Sequence, residues 1–180
     1  LKEIEIPQSL KKIGKLSFKN CSSIIQISLP SSITNIGEAV FEGCSSLTKI
    51  ELPQSLTKID KNLFKECSSL EQINIPISTK EIEEGAFSGC SSLKDIQIPL
   101  SVKKIKNSTF KGCSSLASIE LSSSVKSICT YSFSECVSLT NVVATDSLSK
   151  IDSCAFKDCP LLSNFSIITS DTCTSLDNFF

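Results

Sequence analysis

The chain has 180 residues, enough for one compact domain or one stacked array, and its formal net charge is −1. All 18 basic residues are lysine, and arginine, histidine, tryptophan and methionine are absent; this balance removes any net attraction to nucleic acid or to an anionic membrane. No apolar run approaches the ~20 residues of a membrane span and no secretory leader pattern is present, but Leu1 is not methionine and already falls inside a repeated pattern, so the chain reads as a piece of a longer protein.

The pattern has a period of 23 residues. Cysteines stand at 21, 44, 67, 90, 113, 136 and 159, phenylalanines at 18, 41, 64, 87, 110, 133 and 156, and prolines at 7, 30, 53, 76 and 99. Leu1, Ile24, Leu47, Leu70, Leu93, Leu116, Leu139 and Leu162 form a further column, giving close to eight copies. Within one copy, Cys-Ser-Ser reads as a turn whose hydroxyls satisfy backbone groups. In Leu47-Thr48-Lys49-Ile50-Glu51-Leu52-Pro53, Ile50 and Leu52 alternate with polar residues, which predicts a half-buried strand ended by the proline. A second extended piece follows at 56–59. The segment before the cysteine, as in Glu84-Gly85-Ala86-Phe87, reads as a turn or a short helical piece. Twenty-three residues cannot bury a core alone, but stacked copies share one, so the fold class is a β-rich solenoid with a parallel sheet.

Units such as LTKIELPQSLTKIDKNLFKECSS resemble the BspA-like, or Treponema-type, leucine-rich repeat. The resemblance implies a leucine-rich repeat array over residues 1–168, with 169–180 as a degenerate terminal repeat. Departures gather late: Ser122 and Thr145 replace the proline, Cys-Ser-Ser becomes Cys136-Val137-Ser138 and Cys159-Pro160-Leu161, and the tail barely follows the pattern.

The cysteine column reads as a ladder of buried apolar thiols. Rung spacing would bring neighbouring Cα atoms to about 5 Å, within disulfide reach, yet seven stacked cysteines cannot all pair, and the close ligand pairs of a zinc site are missing. Off-column Cys129 and Cys154 fall in neighbouring rungs, and a bridge between them stays open. Cys173 in the tail is a candidate free thiol. The phenylalanine column reads as a core spine.

Function must then lie on outward columns. Beside the strand isoleucine these carry Glu3, Gln26, Lys49, Gln72, Asp95, Ser118, Asn141 and Asn164 on one side, and Glu5, Ser28, Glu51, Asn74, Gln97, Glu120, Val143 and Ser166 on the other. This face is polar, mildly acidic early and nearly neutral late, and lacks aromatic anchors. Two irregularities interrupt the surface. Ile77 and Leu100 occupy a column that is polar in the other copies. They are either a partner contact or a local repacking in which Ile77 turns inward to compensate for Thr79; repacking is the favoured reading. Lys11, Lys12, Lys58, Lys80, Lys103, Lys104, Lys126 and Lys150 form a basic stripe. It would attract an anionic partner such as a sulfated glycan, but lysines also keep strands soluble, and Glu81, Glu83 and Glu84 dilute it; solubility is the favoured reading. Sequons at Asn20, Asn107 and Asn164 matter only in a secretory pathway.

No histidine is available for acid–base work or thiol activation, and phosphate-loop, dinucleotide and nucleophile-elbow motifs are missing. The sequence offers no catalytic residue, metal ligand or cofactor site. The expectation is a non-enzymatic protein-binding module. The resemblance implies surface adhesion to host-cell or matrix proteins, with no membrane insertion within this stretch. Two alternatives stand: an intracellular scaffold binding a cytosolic partner, and end-to-end self-assembly through the first rung and Phe179-Phe180.

Overall fold

The polar–apolar alternation of each repeat becomes a short parallel strand stacked on the next copy. The structure is a computed structural model and describes residues 4–169 and the strand Cys173–Ser175. Leu1, Glu3 and Phe179-Phe180, on which end-to-end pairing partly rested, lie outside the described residues. The strands are β1 (Lys12–Ile13), β2 (Gln26–Ser28), β3 (Asn35–Ile36), β4 (Lys49–Glu51), β5 (Lys58–Ile59), β6 (Glu81–Ile82), β7 (Lys104–Ile105), β8 (Ser118–Glu120), β9 (Ser127–Ile128), β10 (Asn141–Thr145), β11 (Lys150–Ile151), β12 (Asn164–Ile168) and β13 (Cys173–Ser175). They build a parallel solenoid of about seven turns, and the described residues contain no helix.

Two ladders run along the solenoid. The first joins the strands that precede the proline: β2 pairs β4, and β10 lies between β8 and β12. Between these groups only a single bridge, Glu51 to Asn74, continues it. The second ladder joins the later extended pieces, as β1–β3, β5–β6 and β7–β9–β11. Proline separates the two pieces by opening a tight turn. The carbonyls of Pro7, Pro30, Pro53, Pro76 and Pro99 each accept from the N–H three residues on, at 2.9–3.1 Å. Where proline is replaced by Thr145, the strand has one more N–H to give. There β10 lengthens to five residues and pairs with β12 as far as Thr145 and Ile168.

The segment before each cysteine is a run of turns with its own inter-rung ladder. Phe41 N–H donates to Leu63 O at 3.0 Å, Phe64 to Ala86 at 2.8 Å and Phe87 to Thr109 at 2.9 Å, with flanking alternate residues bonded the same way. Such spacing leaves no room for the i−4 bonds of a helix. Two positions in every turn take the left-handed backbone. One column holds Leu16, Ala39, Asn62, Gly85, Ser108, Tyr131 and Cys154; the other holds Asn20, Gly43, Glu66, Gly89, Gly112, Glu135 and Asp158, all with φ between 54° and 76°. A side-chain-bearing residue there costs roughly 1–2 kcal/mol. Ser108, at φ 54° and half-buried, is the clean test. Ser108→Gly is expected to raise stability by about 1 kcal/mol, read as a higher urea midpoint with an unchanged m-value; a lower midpoint sinks this account of the turn.

The core lies between the ladders and the turns. Phe18, Phe41, Phe64, Phe87, Phe110, Phe133 and Phe156 stack with ring centroids 5.3–5.7 Å apart and planes within 15° of parallel. Phe165 meets Phe156 edge-on at 5.8 Å and ends the stack. The cysteine ladder is confirmed: Cys44, Cys67, Cys90, Cys113 and Cys136 are fully buried. Each thiol donates to the carbonyl of the phenylalanine one rung earlier, as Cys67 Sγ does to Phe41 O at 3.0 Å. Cys129 and Cys154 are free thiols, so no bridge joins them here. The Cys-Ser-Ser serines also bond between rungs: Ser68, Ser91 and Ser114 each donate to the equivalent carbonyl of the preceding rung at 3.2–3.3 Å.

At the C-terminal end, β13 departs from the repeat. Continued register would lay residues 173–174 parallel to β11; instead β13 runs antiparallel beside β12, with Ser166 opposite Ser175 and Ile168 opposite Cys173.

Candidate protein-binding surface

The first ladder buries the central residue of each strand and turns its neighbours outward, because successive side chains alternate faces. Thus Ile27, Ile50 and Ile119 are buried while Gln26, Ser28, Lys49, Glu51, Ser118 and Glu120 are exposed. Gln72, Asn74, Asp95 and Gln97 are also exposed, although their rungs carry only the one bridge. Glu5 is exposed. The late end differs from expectation. Asn141 and Val143 are half-buried, and Ser166 is buried where β12 gains β13 as an edge partner. The Asn141 amide oxygen is buried without a hydrogen-bond partner among the described residues.

Where the first ladder thins to a single bridge, a groove of about 690 Å³ opens across the predicted columns. Its walls include Lys49, Glu51, Gln72 and Asn74, and its floor includes Ile50 and Ile73. Sequence reasoning found the walls from their period. It missed the groove, because loss of pairing between two rungs leaves no mark in the residue pattern. Charges here are paired and solvated: Lys49 Nζ lies 3.1 Å from Glu51, and Lys94 Nζ lies 2.7 Å from Glu71, holding that carboxyl below its usual value. The arrangement suits adaptable polar contacts around a small apolar floor. Among the described residues no group of three or more histidine, cysteine or acidic side chains is placed to hold a metal ion.

The ridge after the proline overturns one expectation. Ile77 does not turn inward; it is 86% exposed, and Leu100 is 68% exposed. Thr79 needs no compensation, because it is itself fully buried and its hydroxyl donates to Leu56 O at 3.0 Å. A buried threonine has nearly the shape of the valine found at 102 and 125, and its hydroxyl is satisfied.

The lysine stripe divides in two. Lys58 is half-buried between Asp60 at 3.4 Å and Glu83 at 3.5 Å. Partial desolvation pulls its pKa down, but the two carboxylates outweigh it and hold the pKa above its usual value. Lys150 pairs with Asp152 at 2.7 Å. Glu83 is further occupied by Lys106 at 2.7 Å. Lys11, Lys12, Lys80, Lys103, Lys104 and Lys126 are exposed, and among the described residues none has a carboxylate within ion-pair distance. The asparagines of the three sequons are all exposed.

Comparison with known proteins agrees with this geometry. The family described as "BspA type Leucine rich repeat region (6 copies)" matches residues 1–117 and 103–180. A Treponema pallidum leucine-rich repeat protein is 30% identical, with a TM-score of 0.69 over 81% of this chain and 71% of its own. A leucine-rich cell surface protein of Faecalibacterium prausnitzii is 22% identical, with a TM-score of 0.65 over 96% of this chain. The pneumococcal vaccine antigen PcpA is 22% identical, with a TM-score of 0.60 over 93%. The chain spans 60% of the Faecalibacterium protein and 51% of PcpA. No curated protein matches the sequence. Rung period, stacked phenylalanines, twin parallel ladders and these matches agree: the chain belongs to the BspA-type leucine-rich repeat family.

Proposed function

We propose that the chain is a non-enzymatic protein-binding module, displayed at a cell surface and recognising a protein of a host cell or of extracellular matrix. The observation that carries this is the outward face of the first ladder, exposed over successive rungs from Gln26 to Glu120 and opening into the groove at Lys49, Glu51, Gln72 and Asn74. Repeat arrays bind through extended surfaces of this kind. The similarity to a leucine-rich cell surface protein and to a vaccine antigen supports the surface location.

The test is binding of the labelled chain to intact mammalian cells and to immobilised matrix proteins. Its control replaces Lys49, Glu51, Gln72 and Asn74 by alanine. These side chains are exposed, so each substitution is expected to change stability by no more than about 0.5 kcal/mol and the control should stay folded. Saturable binding that the control loses is the expected result; no saturable binding by the folded parent sinks the reading. The free, reduced cysteine column favours one rival, a scaffold in a reducing compartment. That rival is favoured if the parent binds nothing on cells or matrix yet captures a partner from the organism's own cytosol.

A further inference from the structure

Several lysines elsewhere on this solenoid are matched by a carboxylate one rung away. Lys15 meets Glu38 at 2.7 Å, Lys19 meets Glu42 at 3.1 Å, Lys61 meets Glu84 at 3.3 Å and Lys111 meets Glu135 at 3.1 Å. Against that habit, Lys80, Lys103 and Lys126 occupy one column in three consecutive rungs, with Lys104 beside them, and no carboxylate lies within ion-pair distance among the described residues. Register supports the stacking of Lys103 on Lys126, since β7 pairs β9 with Lys104 opposite Ser127 and Ile105 opposite Ile128, while Lys80 holds the same repeat position one rung earlier, beside β6, which pairs β5 rather than β7. Like charges stacked at rung spacing destabilise the state that holds them. In the middle rungs Glu81, which shares the column of Lys104, is drawn instead to Lys106 at 3.8 Å.

The same rungs carry the exposed apolar pair. Ile77 and Leu100 each lie three residues before a lysine of the column, at the first position after the turn proline. Beside this column a hollow of about 600 Å³ is lined by Lys80, Lys103, Lys104, Lys106, Ser101, Ile82 and a single carboxylate, Glu81, so its lining is predominantly positive. Lysines without an ion-pair partner among the described residues and exposed aliphatic side chains thus fall within three residues of one another on the same two rungs.

The geometry points to a docking surface here for an acidic protein segment that also carries aliphatic side chains. The lysine column would meet its carboxylates while Ile77 and Leu100 bury its apolar residues. Charge complementarity selects an acidic partner. The apolar pair selects against a sulfated polysaccharide, which has no aliphatic side chains to cover it. This surface rests on the reading of the chain as a protein-binding module and names the chemistry of one partner.

The probe is a short dye-labelled peptide alternating glutamate and leucine, measured by fluorescence anisotropy on the whole chain. Comparison probes are oligoglutamate of equal length, the charge-reversed lysine–leucine peptide, heparin and phosphatidylserine vesicles. The glutamate–leucine peptide is expected to bind at least about tenfold more tightly than oligoglutamate, and to weaken as salt rises to about 0.15 M. The triple variant Lys80→Gln, Lys103→Gln, Lys126→Gln and the double variant Ile77→Ser, Leu100→Ser are each expected to lose about tenfold or more in affinity. Both should remain folded, since every altered side chain is exposed, and the triple variant should melt slightly higher at low salt because its stacked charges are gone.

Equal binding of oligoglutamate, or unchanged binding by either variant, overturns the proposal. Tighter binding of heparin or of vesicles through the same residues reassigns the surface to that partner and overturns the protein segment. Cell or matrix binding that persists in both variants rejects this surface as the adhesive one, while leaving the protein-binding reading intact.

Discussion

Replacing Phe87 by alanine is expected to cost about 4 kcal/mol or more. The ring is fully buried and stacks on Phe64 at 5.6 Å and on Phe110 at 5.5 Å. Removing a buried phenylalanine costs roughly 3–5 kcal/mol through lost transfer energy and the cavity left behind. Each lost ring pair adds about 0.5–1.5 kcal/mol. Relaxation is limited on both sides, because the backbone at Phe64 and Phe87 is pinned to the next rung by bonds of 2.8 and 2.9 Å. Position along the array matters as well, since a repeat protein's stability is a sum over rungs and neighbouring interfaces. A central deletion weakens two interfaces. Phe18→Ala weakens one, at a ring that is only half-buried and has a single stacked neighbour. Urea unfolding of the two variants checks this: Phe87→Ala should lose about twice as much as Phe18→Ala, and equal losses would show that the spine does not act as a chain of stacked pairs.

The second large effect is alkaline unfolding. Burial pushes Cys44 up from 9.0 to about 11, and raises Cys67, Cys90, Cys113 and Cys136 as well, with a neighbouring thiol of the column as the next cause in each case. The folded chain therefore holds these protons more tightly than the unfolded chain. The stability they contribute is complete below the unfolded thiol value of 9.0 and is lost as pH rises through the folded values. A buried thiol removes at most about 1.4 kcal/mol per pH unit once the pH is well above its unfolded value and still below its folded one, and several such thiols act in the same direction. An ordinary domain has roughly 5–15 kcal/mol in total, so cooperative loss of structure is expected between about pH 9 and pH 11. Under reductant, the share of thiolate absorbance that comes from these five buried thiols should rise together with the loss of far-ultraviolet circular dichroism. A thiolate signal from the column near pH 9 with the fold intact would show that these thiols are not held as described.

The basis of both predictions is visible in the sequence. Phenylalanine and cysteine recur every 23 residues, and only a stacked array places such columns in register. The first-ladder face was equally legible, because Gln26, Lys49 and Glu120 flank an isoleucine that the period sends inward. One turn column was half legible, since Asn20, Gly43, Gly89 and Gly112 suit a left-handed backbone. The other was not: Leu16, Ala39 and Tyr131 rarely adopt it, and they do so here because the rungs above and below dictate the turn.

By itself, then, the sequence determined the solenoid, its rung length, its phenylalanine and cysteine core and the polarity of its outward columns, because a strict period repeats the same local choice in every copy. Only the tertiary structure decided which exposed residues stand together and unpaired. Whether Ile77 points in or out depends on whether Thr79 can bury its hydroxyl against Leu56 O. Whether a lysine is neutralised depends on which carboxylate one rung away reaches it, as Glu83 reaches Lys106 and nothing among the described residues reaches Lys103. Those are competitions between side chains of different rungs, and residues 23 apart in the chain settle them only once they are stacked.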